Sequence, residues 1–255
     1  MLFRAVTPPH RKPASDLYRF AAPIYDLATA MWSGGAIWRS RLACLCGVKE
    51  GDRVLIPGPG TGRLAVEAAR RGAAVTAVEL SSVMGRRLES RALRALGSSR
   101  FHASYPKGPA DTPNSAPGTL VLVRGEVDAL PVRPEFDLVV AEHFLNVFQP
   151  KEMAPMRSRL IERVVAGGRL AIADFSPIPR SAAAPLRALQ RGHHVIPLGG
   201  CSLLTRNAFH AIYDHGADLS GCEDLRLALD RDFRSFALGP GWFHTWIFEK
   251  MARDD

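Results

Sequence analysis

Short apolar runs and longer amphipathic stretches alternate along most of the chain. Apolar runs bounded by turn residues indicate buried strands, and apolar residues three or four positions apart indicate helices. The predicted strands cover residues 52–56, 74–79, 119–124, 136–141 and 169–175. The predicted helices cover residues 63–71, 81–96, 153–165 and 205–215, the last of these capped by Gly216. Strands that alternate with helices predict parallel strands joined by right-handed crossovers.

The two ends of the chain depart from this alternation. Residues 16–46 have a broken helical periodicity and predict helices ahead of the first strand, with a break at Gly34-Gly35. Residues 225–237 and 242–251 predict two strands with only a turn between them, and such strands must be antiparallel. The predicted fold is therefore α/β: a doubly wound, seven-stranded, mostly parallel sheet with an antiparallel C-terminal hairpin.

Two irregular segments interrupt the pattern. Residues 97–118 are rich in Pro, Ser, Gly and Asn, too long for an ordinary connection, and predict a mobile surface loop. Residues 177–204 are irregular with some helix and predict a cover over a substrate site. We therefore expect an N-terminal extension and helical lid over residues 1–48 and one main domain over residues 49–255.

A glycine loop follows the first predicted strand. Gly58, Gly60 and Gly62 occupy alternate positions there, and glycine allows both a sharp turn and the close approach of a ligand. The helix that follows directs its free N–H groups and its positive dipole end at whatever lies over the loop. Glu79 ends the next strand, where a carboxylate accepts hydrogen bonds from ribose hydroxyls. This combination predicts a nucleotide-type cofactor site.

Four motifs in the same order and spacing resemble those of class I S-adenosylmethionine-dependent methyltransferases. Residues 58–62 are similar to the first motif of that class, and Glu79 occupies the place of its ribose-binding acidic residue. Residues 125–131 resemble its adenine-contacting segment, residues 136–140 its fourth strand, and residues 163–170 the turn before its fifth strand. The resemblance implies a Rossmann-like methyltransferase fold and S-adenosyl-L-methionine as the cofactor.

The same resemblance implies a set of cofactor-binding residues. Glu126 would face the amino group of adenine, and the N–H of Val127 would face its ring. The full set is Gly58, Gly60, Thr61, Gly62, Glu79, Leu80, Glu126, Val127, Glu142 and Tyr25.

Within this class the N-terminal helix and residues 174–177 resemble the ubiquinone/menaquinone C-methyltransferase-like branch, although its tyrosine-rich quinone segment is absent. The first motif also departs from the family. Ile56 stands where the family has Asp or Glu, and Pro57 and Pro59 remove two N–H donors from the loop. We hypothesise that another carboxylate, Asp26 or Asp174, substitutes for the missing one.

His143 is the candidate catalytic base, because it follows the fourth strand and the unperturbed pKa of a histidine side chain lies near neutrality. Methyl transfer depends mainly on positioning, and a base is needed only where the acceptor loses a proton. The alternative is that His143 stacks on the cofactor or caps a helix. Glu142 is expected to stabilise the loop or the cofactor. The segment lacks the Asn/Asp-Pro-Pro-Tyr/Phe motif used on base amines and glutamine amides, which disfavours those acceptors.

Other aromatic and histidine side chains leave two interpretations open. His193 and His194 lie in the predicted substrate cover but lack a third ligand at metal-site spacing, so we expect no metal. Tyr18, Tyr25, Trp32 and Trp38 form either an N-terminal lid over the pocket or part of the core.

Composition narrows the function less than the motifs do. The formal net charge of +8 is carried by scattered arginines without a lysine-rich run, and it fits either a solvated surface or RNA binding. The four cysteines have no metal-type spacing and indicate reduced thiols. No apolar run approaches the roughly 18 to 20 residues of a membrane span, although peripheral membrane contact is compatible with the charge. We expect a cytoplasmic enzyme of undetermined oligomeric state.

The predicted function is methylation of a small, apolar or aromatic metabolite. The alternatives are an RNA methyltransferase, a non-catalytic S-adenosylmethionine-binding protein, and a nicotinamide oxidoreductase. The last is disfavoured because its loop would read G-x-G-x-x-G, whereas this loop reads G-x-G-x-G.

Overall fold

The computed structural model describes residues 25–105, 116–177, 183–189, 191–192, 211–235 and 241–252. The strands are β1 (Arg53–Pro57), β2 (Ala74–Glu79), β3 (Phe101–Ser104), β4 (Leu120–Arg124), β5 (Phe136–Glu142), β6 (Val164–Phe175), β7 (Leu225–Phe233) and β8 (Phe243–Lys250). The helices are α1 (Tyr25–Ser33), α2 (Ala36–Ala43), α3 (Arg63–Arg70), α4 (Ser82–Leu96), α5 (Pro150–Glu162) and α6 (His215–Leu219). Residues 184–189 are also helical.

The described strands form one sheet in the order β3-β4-β2-β1-β5-β6-β8-β7. The first six strands in this order pair in parallel, and β8 runs antiparallel to both β6 and β7. The sheet order reverses between β1 and β5, so the ends of these two strands and of β2 border one crevice, where open α/β sheets bind their ligands. This arrangement confirms the predicted mostly parallel sheet with an antiparallel C-terminal hairpin.

The sheet has eight strands rather than the predicted seven. The additional strand, β3, lies inside the stretch 97–118 that the sequence predicted to be a mobile loop. Only Phe101 is buried in this short edge strand, so its composition carries almost no strand signal. Residues 106–115 of the same stretch lie outside the described residues.

Two further boundaries correct the sequence predictions. β6 begins at Val164 rather than residue 169, because Val164 pairs with Phe136 before Gly167, at φ 75°, interrupts the ladder. The predicted helix 205–215 is wrong in its described part, since residues 211–214 are not helical. Here the Asp214 side chain accepts a hydrogen bond from the Ala217 N–H (3.0 Å) and starts α6, so Gly216 lies inside a helix rather than at a helix end.

Alternate residues of the central strands are buried on opposite faces of the sheet. Val54 and Ile56 contribute to the core on the side of α3 and α4, whereas Leu55 contributes to the core on the side of α5 and α6. Both faces of β1 are therefore covered, as the continuous apolar run predicted.

The two N-terminal helices pack on the sheet. Gly34 (φ 55°) and Gly35 (φ 78°) make the turn between α1 and α2 at the predicted break. The Thr245 hydroxyl on β8 donates to the Ser40 carbonyl on α2 (2.8 Å), and both groups are buried. Trp32 on α1 reaches an aromatic cluster at the ends of β6 and β8. These contacts place α1 over the carboxyl ends of the parallel strands.

The buried Arg163 guanidinium fixes the segment after β4. It donates to four carbonyls, those of Pro131 (3.1 Å), Arg159 (3.0 Å), Val127 (3.1 Å) and Leu130 (3.0 Å). Burial lowers the pKa of Arg163 from its ordinary value, an effect that the nearby Asp128 carboxylate opposes. A fully buried cation thus holds in place the loop that the sequence resemblance assigns to adenine.

We expect Arg163→Met to lower the free energy of unfolding by about 3 kcal/mol, because it leaves several buried carbonyls without their charged donor. Arg159→Met is the matched control, since the pair of Arg159 with Asp128 is partly exposed (42% and 33%) and should cost below about 1 kcal/mol. Urea denaturation of both variants measures the difference. Equal losses in the two variants would contradict a special role for Arg163.

Candidate active site

The glycine loop turns directly after β1. Gly58 (φ 60°), Gly60 (φ 55°) and Gly62 (φ 74°) all take left-handed backbone conformations. The Gly58 N–H donates to the Val78 carbonyl at 2.8 Å, which ties the loop to β2. A Cβ added at Gly60 would meet nothing within 4 Å, so this part of the loop faces open space rather than packed protein. The loop therefore offers a backbone surface that a ligand can approach closely.

Glu79 connects the loop to the start of α4. Its carboxylate accepts hydrogen bonds from the Gly60 N–H (3.0 Å) and the Ser81 N–H (2.7 Å), and the residue is 7% exposed. Leu80 beside it is 70% exposed, unusual for a leucine at the rim of a cleft. A carboxylate at this position can accept hydrogen bonds from the hydroxyl groups of a ligand.

The segment after β4 borders the same cleft. The Gly125 N–H donates to the Glu79 carbonyl (3.1 Å), and a Cβ added at Gly125 would also meet nothing within 4 Å. Glu126 is exposed, whereas Val127 is buried and begins a short 3-10 turn, Val127–Ala129. The exposed acidic side chain and the anchored backbone agree with the roles that the resemblance implies for these two residues.

Helix α1 closes over the glycine loop through Asp26. One carboxylate oxygen of Asp26 accepts a hydrogen bond from the Thr61 hydroxyl (2.8 Å), and the other pairs with Arg91 on α4. Of the two carboxylates that could substitute for the missing one, Asp26 therefore reaches the loop. Asp174, the other candidate, is bonded to Asn146 and does not contact the loop.

A buried ion pair lies beneath α1 at the end of β5. Arg41 Nε lies 3.1 Å from Glu142 Oε2, and among the described residues neither atom makes a hydrogen bond. Burial raises the pKa of Glu142 to about 7, although Arg41 opposes the rise. Burial acts to lower the pKa of Arg41, but Glu142, Tyr25 and Asp26 outweigh it and raise this pKa.

Ile56 is fully buried in the core, one strand away from this pair. Glu142 lies on the same face of the sheet as Ile56, two residues beyond Val140, which is level with Ile56 on the neighbouring strand. A carboxylate is thus present close to the position where the first motif lacks one. Glu142 Oε2 is itself buried and lies within ion-pair distance of Arg41, so its charge is already partly compensated.

His143 follows β5 in a strained backbone conformation. Its φ of 49° is the only positive φ among described residues other than glycine, and its N–H donates to the Ala173 carbonyl (2.7 Å). The ring packs against Phe175 (centroid distance 5.2 Å) and Phe243 (6.0 Å). Trp32 on α1 contacts the same two phenylalanines, at 6.3 and 5.4 Å. Strain of this kind clusters at functional sites.

The structure thus brings every predicted cofactor residue and His143 to one edge of the sheet. His193, His194 and Tyr18 lie outside the described residues. Sequence reasoning missed Arg41, Arg91 and Phe144. The ring of Phe144 leaves no room for a side chain at Gly58, because its Cδ2 would lie 2.8 Å from an added Cβ. No motif points to the two arginines, because their partners come from distant parts of the chain.

The described residues fit S-adenosylmethionine as a ligand. The two glycines with open space at the Cβ position, Gly60 and Gly125, and the exposed Leu80 border the same cleft. Within the described residues, no group of three histidine, cysteine or acidic side chains is arranged to hold a metal ion.

The chain was compared with known families. Residues 55–172 match the family model of a methyltransferase domain, and this match covers β1 to most of β6. The matched stretch is less than half of the chain, and it is similar to a methyltransferase domain. The predicted enzyme class, methyltransferase, and the predicted cofactor, S-adenosylmethionine, are thereby confirmed. No curated protein matches the chain significantly.

Solved structures with low sequence identity share the fold. A 1,6-didemethyltoxoflavin-N1-methyltransferase from Burkholderia thailandensis is 14% identical, with 99% of each chain covered and a TM-score of 0.53. Magnesium protoporphyrin IX methyltransferase from Synechocystis is 16% identical, with 92% of this chain and 91% of that chain covered and a TM-score of 0.55. An O-methyltransferase family 2 protein from Planctomyces limnophilus is 15% identical, with 91% of this chain and 62% of that chain covered and a TM-score of 0.56.

The raised pKa of Glu142 predicts a pH-dependent stability of the methyltransferase domain. A carboxyl group that titrates at about 7 in the fold and near 4.5 when unfolded contributes stability below pH 4.5, and this contribution is lost as pH rises through 7. The unfolding free energy of the wild type minus that of Glu142→Gln should therefore fall by about 3 kcal/mol between pH 4.5 and pH 8. Urea denaturation at several pH values measures it, and a constant difference would contradict the raised pKa.

The contact of Asp26 with Thr61 predicts that α1 contributes to cofactor affinity. We expect Asp26→Asn to weaken the binding of S-adenosylhomocysteine about tenfold, since it weakens one hydrogen bond and removes the charge that holds Arg91. Glu67→Gln is the control, because it removes the carboxylate of an exposed pair on α3. Isothermal titration measures both. Unchanged affinity in Asp26→Asn would show that α1 does not act on the loop.

Proposed function

We propose that this chain is an S-adenosylmethionine-dependent methyltransferase acting on a small, apolar or aromatic metabolite. The observation that carries the acceptor class is the aromatic cluster of Trp32, Phe175 and Phe243 around His143. Flat apolar walls beside a titratable group suit a ring system better than a charged or extended substrate. The three comparison structures include enzymes crystallised or named with aromatic ring compounds, which is consistent with this class.

The proposed cofactor contacts follow the cleft from one strand end to the next. Glu79 would bind the ribose hydroxyls through its carboxylate. Leu80 would lie against the adenine ring, the Val127 N–H would face the ring, and Glu126 would accept a hydrogen bond from its amino group. Glu142, on the far side of the loop, would bind the ammonium group of the methionine end together with Tyr25 on α1.

His143 is the proposed base where the acceptor must lose a proton. S-adenosylmethionine supplies a methyl group on a positively charged sulfur, which is open to in-line attack. The chain orients the acceptor between aromatic side chains, excludes water with α1, and takes up the acceptor proton on the His143 imidazole. For an acceptor without a proton to lose, His143 would act only as a polar wall of the pocket.

The arginines argue against the RNA alternative. Six of them donate to backbone carbonyls within the fold and so have structural roles: Arg39, Arg71, Arg100, Arg124, Arg163 and Arg169.

In the described residues no helix is both long and apolar enough to cross a membrane. We further propose a cytoplasmic location and the division into a lid (1–48) and a main domain (49–255). We also propose that the chain is related to the ubiquinone/menaquinone C-methyltransferase-like branch, which its N-terminal helix and residues 174–177 resemble.

Transfer of a labelled methyl group from S-adenosylmethionine to a metabolite extract tests the function. With the wild type we expect label in a small apolar product. With His143→Gln we expect at least a hundredfold less label if the acceptor loses a proton. With Glu79→Ala at subsaturating cofactor we expect no label. Isothermal titration should show binding of S-adenosylhomocysteine that Glu79→Ala removes and Glu67→Gln retains.

Three outcomes would redirect the proposal. Cofactor binding without transfer to any extract would favour a non-catalytic binding protein. Label in RNA, with an affinity that falls steeply with salt, would favour an RNA methyltransferase. Binding of NADH without binding of S-adenosylhomocysteine would overturn the cofactor.

A further inference from the structure

A buried polar network lies behind His143, on the side away from the glycine loop. Its centre is Asp174, the penultimate residue of β6, which is 2% exposed. Asp174 Oδ1 accepts hydrogen bonds from Asn146 Nδ2 (2.8 Å) and from the Phe175 N–H (2.8 Å). His143 Nδ1 lies 3.6 Å from the same oxygen, and His215 Nε2 lies 3.8 Å from Oδ2. One carboxylate therefore lies between two imidazoles.

Asp174 is ionised despite its burial. Burial alone would raise the pKa of this carboxyl group, but His215, His143 and Asn146 outweigh burial and leave the pKa below its ordinary value. A buried carboxylate without such partners would take up a proton instead.

Arg157 fixes the protonation of His215. The Arg157 Nη1 lies 3.2 Å from His215 Nδ1 and also donates to Asp218 Oδ2 at 2.8 Å. Arginine has no acceptor atom, so His215 Nδ1 must carry a lone pair and the ring proton must be on Nε2. Nε2 is the atom that faces Asp174. His215 is fully buried and packs against Trp246 (centroid distance 5.5 Å), which prevents the ring from turning.

The position of His143 places its two ring nitrogens on different sides. Nδ1 faces Asp174, while the strained backbone and the contacts with Phe175 and Phe243 hold the ring in this orientation. An ionised carboxylate next to Nδ1 favours the tautomer with the proton on Nδ1, which leaves the lone pair on Nε2. It also stabilises the imidazolium that forms when Nε2 accepts a proton.

We propose that Asp174 is the positioning residue of His143, and that His215, held by Arg157, is a second buried histidine that orients Asp174. Arg157, His215, Asp174 and His143 lie in one row from α5 and α6, through the end of β6, to the candidate base. The two imidazole–carboxylate distances, 3.6 and 3.8 Å, are ion-pair rather than hydrogen-bond distances. This inference rests on the proposed role of His143, and it extends that role to residues that lie outside the family model match or away from its motifs. The chain ends at the surface in Asp218, whose side chain is 42% exposed.

Other charged groups near this chain have partners of their own. On β8, His244 pairs with Asp174 in the strand ladder, but its ring bonds to Asp230 and Asp232 on β7. On the other side of the site are Arg41 and Glu142, which pair with each other. Within the described residues, the carboxylate of Asp174 faces His143 Nδ1, and His215 lies on the far side of that carboxylate.

Nuclear magnetic resonance of the full chain with ¹⁵N-labelled histidine tests the proposal without an acceptor. In the wild type, the ring nitrogen shifts should show His215 with its proton on Nε2 and neutral His143 with its proton on Nδ1. The His143 signal is assigned as the one missing in His143→Gln. A proton on the opposite nitrogen of either ring would overturn the proposal. The variant serves only to assign the signal, and the tautomers are measured in the wild type.

The effect of Asp174 on His143 is then measured by following the His143 ring signals as a function of pH. In Asp174→Asn we expect the midpoint to move to lower pH by about one unit, because the imidazolium loses its neighbouring charge. Asp232→Asn is the matched control, since it removes an aspartate on the same side of the sheet whose histidine partner is His244, and it should leave the His143 midpoint unchanged. Exposed His102 on β3 is the internal reference. An unchanged midpoint in Asp174→Asn would refute the role of Asp174.

Labelled methyl transfer separates this inference from the proposed function. If His143→Gln retains full transfer while the titration is coupled to Asp174, the base role is wrong and the network stands. If Asp174→Asn shifts the pH profile of transfer in the same direction as the His143 midpoint, both stand. If transfer requires His143 but its pH profile is the same in Asp174→Asn, the base role stands and the network is wrong.

Discussion

Two backbone N–H groups, from Gly60 and Ser81, converge on the carboxylate of Glu79, and the geometry of the cofactor cleft depends on this contact. The bonds join the loop after β1, the end of β2 and the first turn of α4. Because Gly125 also donates to the Glu79 carbonyl, the segment after β4 is held by the same residue. One acidic residue therefore sets the relative positions of the three strand ends that surround the nucleotide part of the ligand.

The sheet and the position of the glycine loop at its edge could be predicted because their signals are local. The glycines of the loop, the apolar run of β1 and the acid that ends β2 are each read within a few residues. Edge strand β3 could not be predicted, since a strand paired on one side needs little apolar surface. The pairs of Arg41 with Glu142 and of Asp26 with Thr61 were also out of reach, because each joins residues far apart in the chain and only folding brings them together.

The basic composition is explained by the interior as much as by the surface. Arginine presents five donors in a fixed plane, so one side chain can satisfy several carbonyls at an irregular turn where no secondary structure does so. Arg163 does this for the segment after β4, and Arg169 does it for the carbonyls of Cys46 and Gly47 before β1. A high arginine content in a chain of this fold is thus a weak sign of nucleic-acid binding.

The left-handed backbone at His143 limits the chemistry that this position can support. Outside glycine, this conformation is tolerated best by asparagine, aspartate and histidine, and it costs other residues about 1 kcal/mol or more. Lysine, tyrosine and glutamate, which also accept or donate protons in enzymes, would therefore destabilise the turn that presents them. A change of acceptor in a descendant of this protein would be expected to arise from the aromatic walls around the imidazole, with the imidazole itself retained.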